Sequence, residues 1–149
     1  MTLSFGGSLS IEGGSLKGID QPFSLGGPLT MAGGATLEVY ESLDVPGPIQ
    51  LDHSTLAVYG GLRVPGPIQL DHSTLAVGEE VVATALSVVN GSVLTSFAST
   101  TTRMYKVDLD IAGAVVVDGT SRIDVRGQGY LAGRTTGNTM VGGATGNSG

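Results

Sequence analysis

The stretch VPGPIQLDHSTLAV occupies residues 45–58 and returns without a single change at residues 64–77. The copies are offset by nineteen residues, too few for a second domain and suited to one turn of a solenoid. The period extends beyond them. Leu37, Leu56, Leu75 and Leu94 follow at steps of nineteen, with Val39, Val58 and Val77 beside them. A second ladder runs Leu43, Leu62 and Val81, accompanied by Val45, Val64 and Ala83. A third joins Ile49 to Ile68, with Leu51, Leu70 and Val89 two positions on. Each short run alternates apolar with polar residues, the two-residue period of a strand with one buried face.

One unit therefore holds three brief strands, TLAV, LRV and IQL, separated by Tyr-Gly-Gly, Pro-Gly-Pro and Asp-His-Ser. At such corners Gly supplies positive φ, Pro fixes φ and Asp bonds to its own turn backbone. Three strands and three corners per coil describe an all-β fold, a right-handed parallel β-helix with about 19 residues per coil. Coils stacked at the inter-strand spacing of about 4.8 Å place identical residues above one another. An antiparallel meander or sandwich would use similar strands. Pro-Gly-Pro, however, is a poor two-residue hairpin turn beside the Asn-Gly type.

The register is looser towards the ends. GGSL at residues 13–16 precedes GGATL at 33–37 by about one coil, and Leu29 and Met31 precede Ile49 and Leu51 by twenty residues. FASTTTRMY at 97–105 reads as a loop leaving the coil. Alternation resumes at Val107, Leu109 and Ile111, then at Val115, Val117, Ile123 and Val125. Residues 1–126 are thus expected to form coils. Residues 127–149, with a Gly at about every third position and no acidic residue, read as a flexible tail or lateral loop. A solenoid ending this way lacks a polar cap, and its bare strand edge favours self-association.

Composition narrows the function. Hydrophobic residues make up 40% of the chain, enough to exclude disorder from lack of apolar content. Charged residues are only 13% and glycines number 25, which describes a turn-rich β chain rather than a helical enzyme. A net charge of −6 with seven scattered Lys and Arg argues against nucleic acid. No apolar run reaches the roughly eighteen residues of a membrane-spanning helix. The first residues, MTLSFGGSLSIEGG, show no signal-peptide pattern. The absence of Cys excludes disulfide and thiolate chemistry.

Asp52-His53-Ser54 and Asp71-His72-Ser73 carry the residue types of a hydrolytic triad, yet three consecutive turn residues ordinarily point apart. The plainer reading is a turn-capping Asp, a solvated His and a Ser opening the next strand. Stacked one coil apart, Asp52, His53, Asp71 and His72 have the donor types for zinc or another divalent ion. That ladder ends at Asn90-Gly91-Ser92, which reads as the equivalent corner and also matches a glycosylation tripeptide. Asp108 and Asp110 alternate with Val107, Leu109 and Ile111, so both face outward, as carboxylates of polysaccharide lyases and glycosidases do along a coil groove. A solvated strand face looks the same. Aromatic residues are too few and dispersed to make a stacking platform.

The runs GGLRV, STLAV, NGSVLTS and VDGTSRIDVRGQGYLAG, with the Gly/Thr/Asn-rich stretch behind them, resemble repeat segments of very large secreted bacterial proteins. These are filamentous-haemagglutinin-like and other right-handed β-helix surface proteins. The resemblance implies export, a structural or adhesive role and a longer parent chain, and it carries over no catalytic residue. The expectation is a non-enzymatic segment of an extracellular or cell-surface bacterial protein, with no cofactor and no bound metal. Its expected partners are surface or matrix components, glycans or further copies of itself. The alternative is a piece of a carbohydrate-active β-helix enzyme using Asp108 or Asp110.

Overall fold

The computed structural model describes residues 1–129 and 131, and winds them into three parallel walls with no helix among the described residues. The first wall stacks Leu3–Phe5, Phe23–Leu25, Leu43–Asp44, Leu62–Arg63, Glu80–Ala83 and Asp108–Ile111. The second stacks Leu9–Glu12, Leu29–Ala32, Ile49–Asp52, Pro67–Asp71, Ala85–Val89 and Val115–Val117. The third stacks Ser15–Ile19, Thr36–Val39, Thr55–Val58, Thr74–Val77, Val93–Thr95 and Arg122–Asp124. Every pairing in these walls is parallel. This is the expected β-solenoid, with about 20 residues per turn.

The interior follows from the alternation. Leu37, Leu56, Leu75 and Leu94 pair in register and are each 0% exposed. Leu43, Leu62 and Val81 form a second buried column, and Ile49 and Ile68 a third. Burying one such side chain is worth about 2 kcal/mol, so each coil added over the last contributes several such terms. Leu29 and Met31 pair with Ile49 and Leu51 as their spacing foretells. Leu16 likewise pairs with Leu37, after which the register shifts before Ile19 meets Val39.

One rung departs from the ladders. Leu70 pairs with Val88, not Val89, so Val88 is buried and Val89 turns outward. The cause is local. The two residues Pro65 and Gly66 turn one corner, whereas Thr84 alone turns the corner above it. The coil is one residue short there, and Gly91 restores the count before Val93 pairs with Thr74. Compensating changes at adjacent corners preserve the third column.

The glycine corners also differ from expectation. Gly47, Gly60 and Gly66 do not have positive φ. They are needed for space: a Cβ on Gly60 would stand 2.7 Å from the Glu41 backbone carbon one coil below. Positive φ falls instead at the third corner, on Gly13, Gly33, His53, His72 and Asn90 in successive coils.

Residues 96–107 carry no strand. The coil closes again when Leu109 pairs with Val81, Val115 with Leu86 and Ile123 with Leu94. Leu109 and Ile111 are half-buried, while Val115 is 47% exposed at the edge of the described stack. Of the proposed tail at 127–149, residues 130 and 132–149 lie outside the described residues. No described helix is long and apolar enough to cross a membrane.

Leu56→Asp places a carboxylate between two leucines and should destabilise by on the order of 4 kcal/mol, enough to abolish a cooperative melt. Thr55→Asp on the outer side of the same strand should cost about 0.5 kcal/mol. Urea unfolding of the two variants checks the alternation, and equal losses would contradict it.

Candidate functional site

The third corner is the most chemically endowed part of the described coils. Its backbone is clamped rung to rung: the His53 amide donates to the Asp71 carbonyl at 3.0 Å, and the Gly34 amide to the His53 carbonyl at 2.8 Å. Left-handed backbone, φ 48° at His53 and 47° at His72, then aims both rings the same way. The imidazoles lie parallel, 9° between planes and 4.4 Å between centroids. Asp52 Oδ1 is 2.5 Å from His53 Nδ1, and Asp71 Oδ1 is 2.6 Å from His72 Nδ1. A carboxylate accepts only, so Nδ1–H is the donor, and in a neutral ring the lone pair then lies on Nε2.

The serines do something else. Ser54, Ser73 and Ser92 are buried, and their hydroxyls donate to the carbonyls of Asp52, Asp71 and Val89. The Ser73 and Ser92 hydroxyls in turn accept an amide from the rung before: Ser54 N–H to Ser73 Oγ and Ser73 N–H to Ser92 Oγ, both at 3.0 Å. The column continues to Ser121, whose Oγ accepts from the Ser92 amide. A hydroxyl whose single proton is committed to a backbone carbonyl is not primed by the neighbouring His. The Asp-His pairing of a triad forms, but the nucleophile is turned into the wall. The corner roles are therefore redistributed: Ser bonds the turn backbone, and Asp bonds the His ring.

Asn90 closes the histidine column from above. By wall register and by φ of 55° it is the counterpart of His72, with Gly91 as the extra residue, rather than the counterpart of Asp71. Its side-chain amide donates to Asp71 Oδ1 at 3.0 Å, and its backbone amide donates to Asp118 Oδ2 at 2.7 Å. The Asn90 amide, helped by His72, holds the Asp71 carboxyl below the usual carboxylate range. The Asn90 backbone N–H, with Ser121 and Thr120, does the same to Asp118 more strongly. Asp124 is held down by Arg126 and then by Arg122.

Asp108 and Asp110 do face outward on one strand, but they do not converge on a common partner. Asp108 Oδ2 is ion-paired with Lys106 Nζ at 2.6 Å. It borders an open hollow of about 1010 Å³ with Glu79, Glu80 and Tyr105, which Asp110 does not line.

An aromatic cluster, by contrast, was illegible in the sequence. Tyr59 stacks on Phe97 at 3.8 Å, Tyr105 meets both edge-on, and Tyr40 tilts against Tyr59 at 5.0 Å. Arg103 covers the Tyr105 ring, donates to the Tyr59 carbonyl and pairs with Glu79. These contacts fasten the 96–107 excursion to the Tyr-Gly-Gly corner at residues 59–61. The one available signal was the shared nineteen-residue step from Tyr40 to Tyr59, since Phe97 and Tyr105 lie outside the repeat.

Ser73→Ala removes two hydrogen bonds and leaves the buried Ser54 amide without its acceptor, so it should cost about 1–3 kcal/mol in denaturant unfolding. The depressed carboxyls of Asp71, Asp118 and Asp124 make a second measurable claim. A group whose folded pKa is lowered stabilises above its unfolded pKa and loses that effect as pH falls through the folded value. The melting temperature should therefore be flat near neutrality and fall once pH drops below about 4. Asp118→Asn should shrink that fall.

No family model, curated protein or solved structure matches this chain, so the geometry alone carries the functional reading.

Proposed function

We propose that the chain is a non-enzymatic spacer of an extracellular or cell-surface bacterial protein, presenting its loop and corners to a partner. The observation that carries this reading is the unbroken apolar filling of the coils. Leucine, isoleucine and valine columns run through successive turns while the outer faces bear short polar side chains and paired charges. Six stacked strands per wall span about 24 Å, and the same unit repeated extends that length without new design. Carboxylates poised for acid–base work need raised or free groups. Here Asp118 and Asp124 are saturated with donors, and Asp108 is ion-paired with Lys106.

Contact would fall to the half-exposed aromatic corner around Tyr40 and Tyr59, which offers rings to a glycan or matrix surface. The apolar edges of the described coil stack, Val115 and Val117 at one side and Phe5 at the other, favour further coils or copies.

The carbohydrate-active alternative draws on the hollow bordered by Glu79, Glu80 and Asp108. One experiment separates the readings: glycan and matrix arrays probed with the labelled chain, beside turnover assays on polyuronates and neutral glycans. Array binding that weakens in Tyr40→Ala, or concentration-dependent self-association in sedimentation, is expected without turnover. Turnover that disappears in the Asp108→Ala/Asp110→Ala double variant, or an absence of all binding and association, would overturn the proposal.

A further inference from the structure

The histidine column is a different matter from the scaffold that carries it. In the two coils before it, the left-handed position of this corner is filled by Gly13 and Gly33, and in the coil after it by Asn90. Gly and Asn are the residues that tolerate such backbone readily. Two successive coils put an imidazole there instead, with a carboxylate immediately before each. Neither ring is needed for packing: the side chains are 61% and 52% exposed. Folding stability alone would favour glycine at both places.

The arrangement has the features of a ligand set. Donor atoms of Asp52, His53 and His72 all lie within 4.8 Å of one another. Each ring is oriented through Nδ1 by its own carboxylate, the pairing that fixes the tautomer and raises the basicity of metal-binding histidines. The rings come from adjacent rungs of one wall, so their separation is set by coil spacing rather than by a flexible loop. Asp71 stands outside that set: its Oδ1 accepts from His72 Nδ1 and from the Asn90 amide, and so holds the His72 ring in place. Ligand bonds of about 2.0–2.2 Å require the donors to close by roughly an ångström, which tilting two exposed rings towards each other supplies. Mixed imidazole and carboxylate donors suit borderline divalent ions: zinc, copper or nickel rather than calcium or magnesium.

We infer that His53 and His72, with Asp52 and Asp71 around them, form an intrachain binding site for one divalent transition-metal ion that cross-links adjacent coils. The ion would bridge rungs on the outside as the leucine column does on the inside.

The chain contains only two histidines, so every imidazole resonance in a proton NMR spectrum reports on this site. Untagged full-length protein is titrated with zinc chloride near neutral pH, by NMR and by calorimetry. The expected result is one ion per chain, movement of both imidazole spin systems together, and a raised melting temperature reversed by chelator. His53→Asn and His72→Asn keep a residue suited to left-handed backbone, so both variants should fold, as circular dichroism will verify. Each should weaken binding by more than about tenfold. Imidazole signals unmoved at millimolar zinc would overturn the site. So would affinity unchanged in the double variant, or one ion shared between two chains.

Discussion

Everything in this molecule depends on residues in one coil resting on their counterparts in the next, joined by parallel main-chain hydrogen bonds outside and aliphatic contact inside. Leu56 sits on Leu37 and under Leu75, and the same geometry is repeated at Val58, Leu62 and Ile68. Parallel strands need a crossover between them, and here the crossover is the remaining two-thirds of the coil. No wall can form alone. The three are closed by a shared interior, so a fault in one column is felt in all of them.

That constraint explains how irregularity is handled. The coil through Thr84 and Gly91 loses a residue at one corner and regains it at the next, which shifts one strand and leaves the other two in register. The much larger excursion at 96–107 leaves at a corner and returns in register, with Asp108 beside Glu80. Corners absorb length because they contribute little to the buried columns, whereas a single insertion inside a strand would turn every following side chain to the opposite face. The aromatic cluster around Tyr59 then does for the excursion what the leucines do for the coil: it supplies enough apolar contact to hold an otherwise strandless segment against the wall.

The third corner shows the same stacking applied to polar groups. Serine hydroxyls relay hydrogen bonds from rung to rung inside, while imidazoles stack outside, and both columns arise from one tripeptide duplicated with its coil. Duplication therefore does more than lengthen the wall. It brings two copies of any corner side chain to within about 5 Å of each other, a distance at which chemistry between them becomes available.

The period of nineteen, read with strict alternation, was sufficient to determine the parallel coil, its three strands and the residues of its columns, because each of those is set by local repetition. The tandem placement of His53 over His72 was legible for the same reason. Other features depended on contacts between segments with no common period. The displacement of Val88 for Val89 required knowing how many residues Thr84 must span. The gathering of Phe97 and Tyr105 onto Tyr59 joined an excursion to a coil nearly forty residues earlier. The placing of left-handed backbone on His53 and His72, where earlier coils use Gly13 and Gly33, and of close approach on Gly60 turned on which atoms lie one rung away. Repetition is written in the chain itself, whereas contact across coils exists only once the walls have closed.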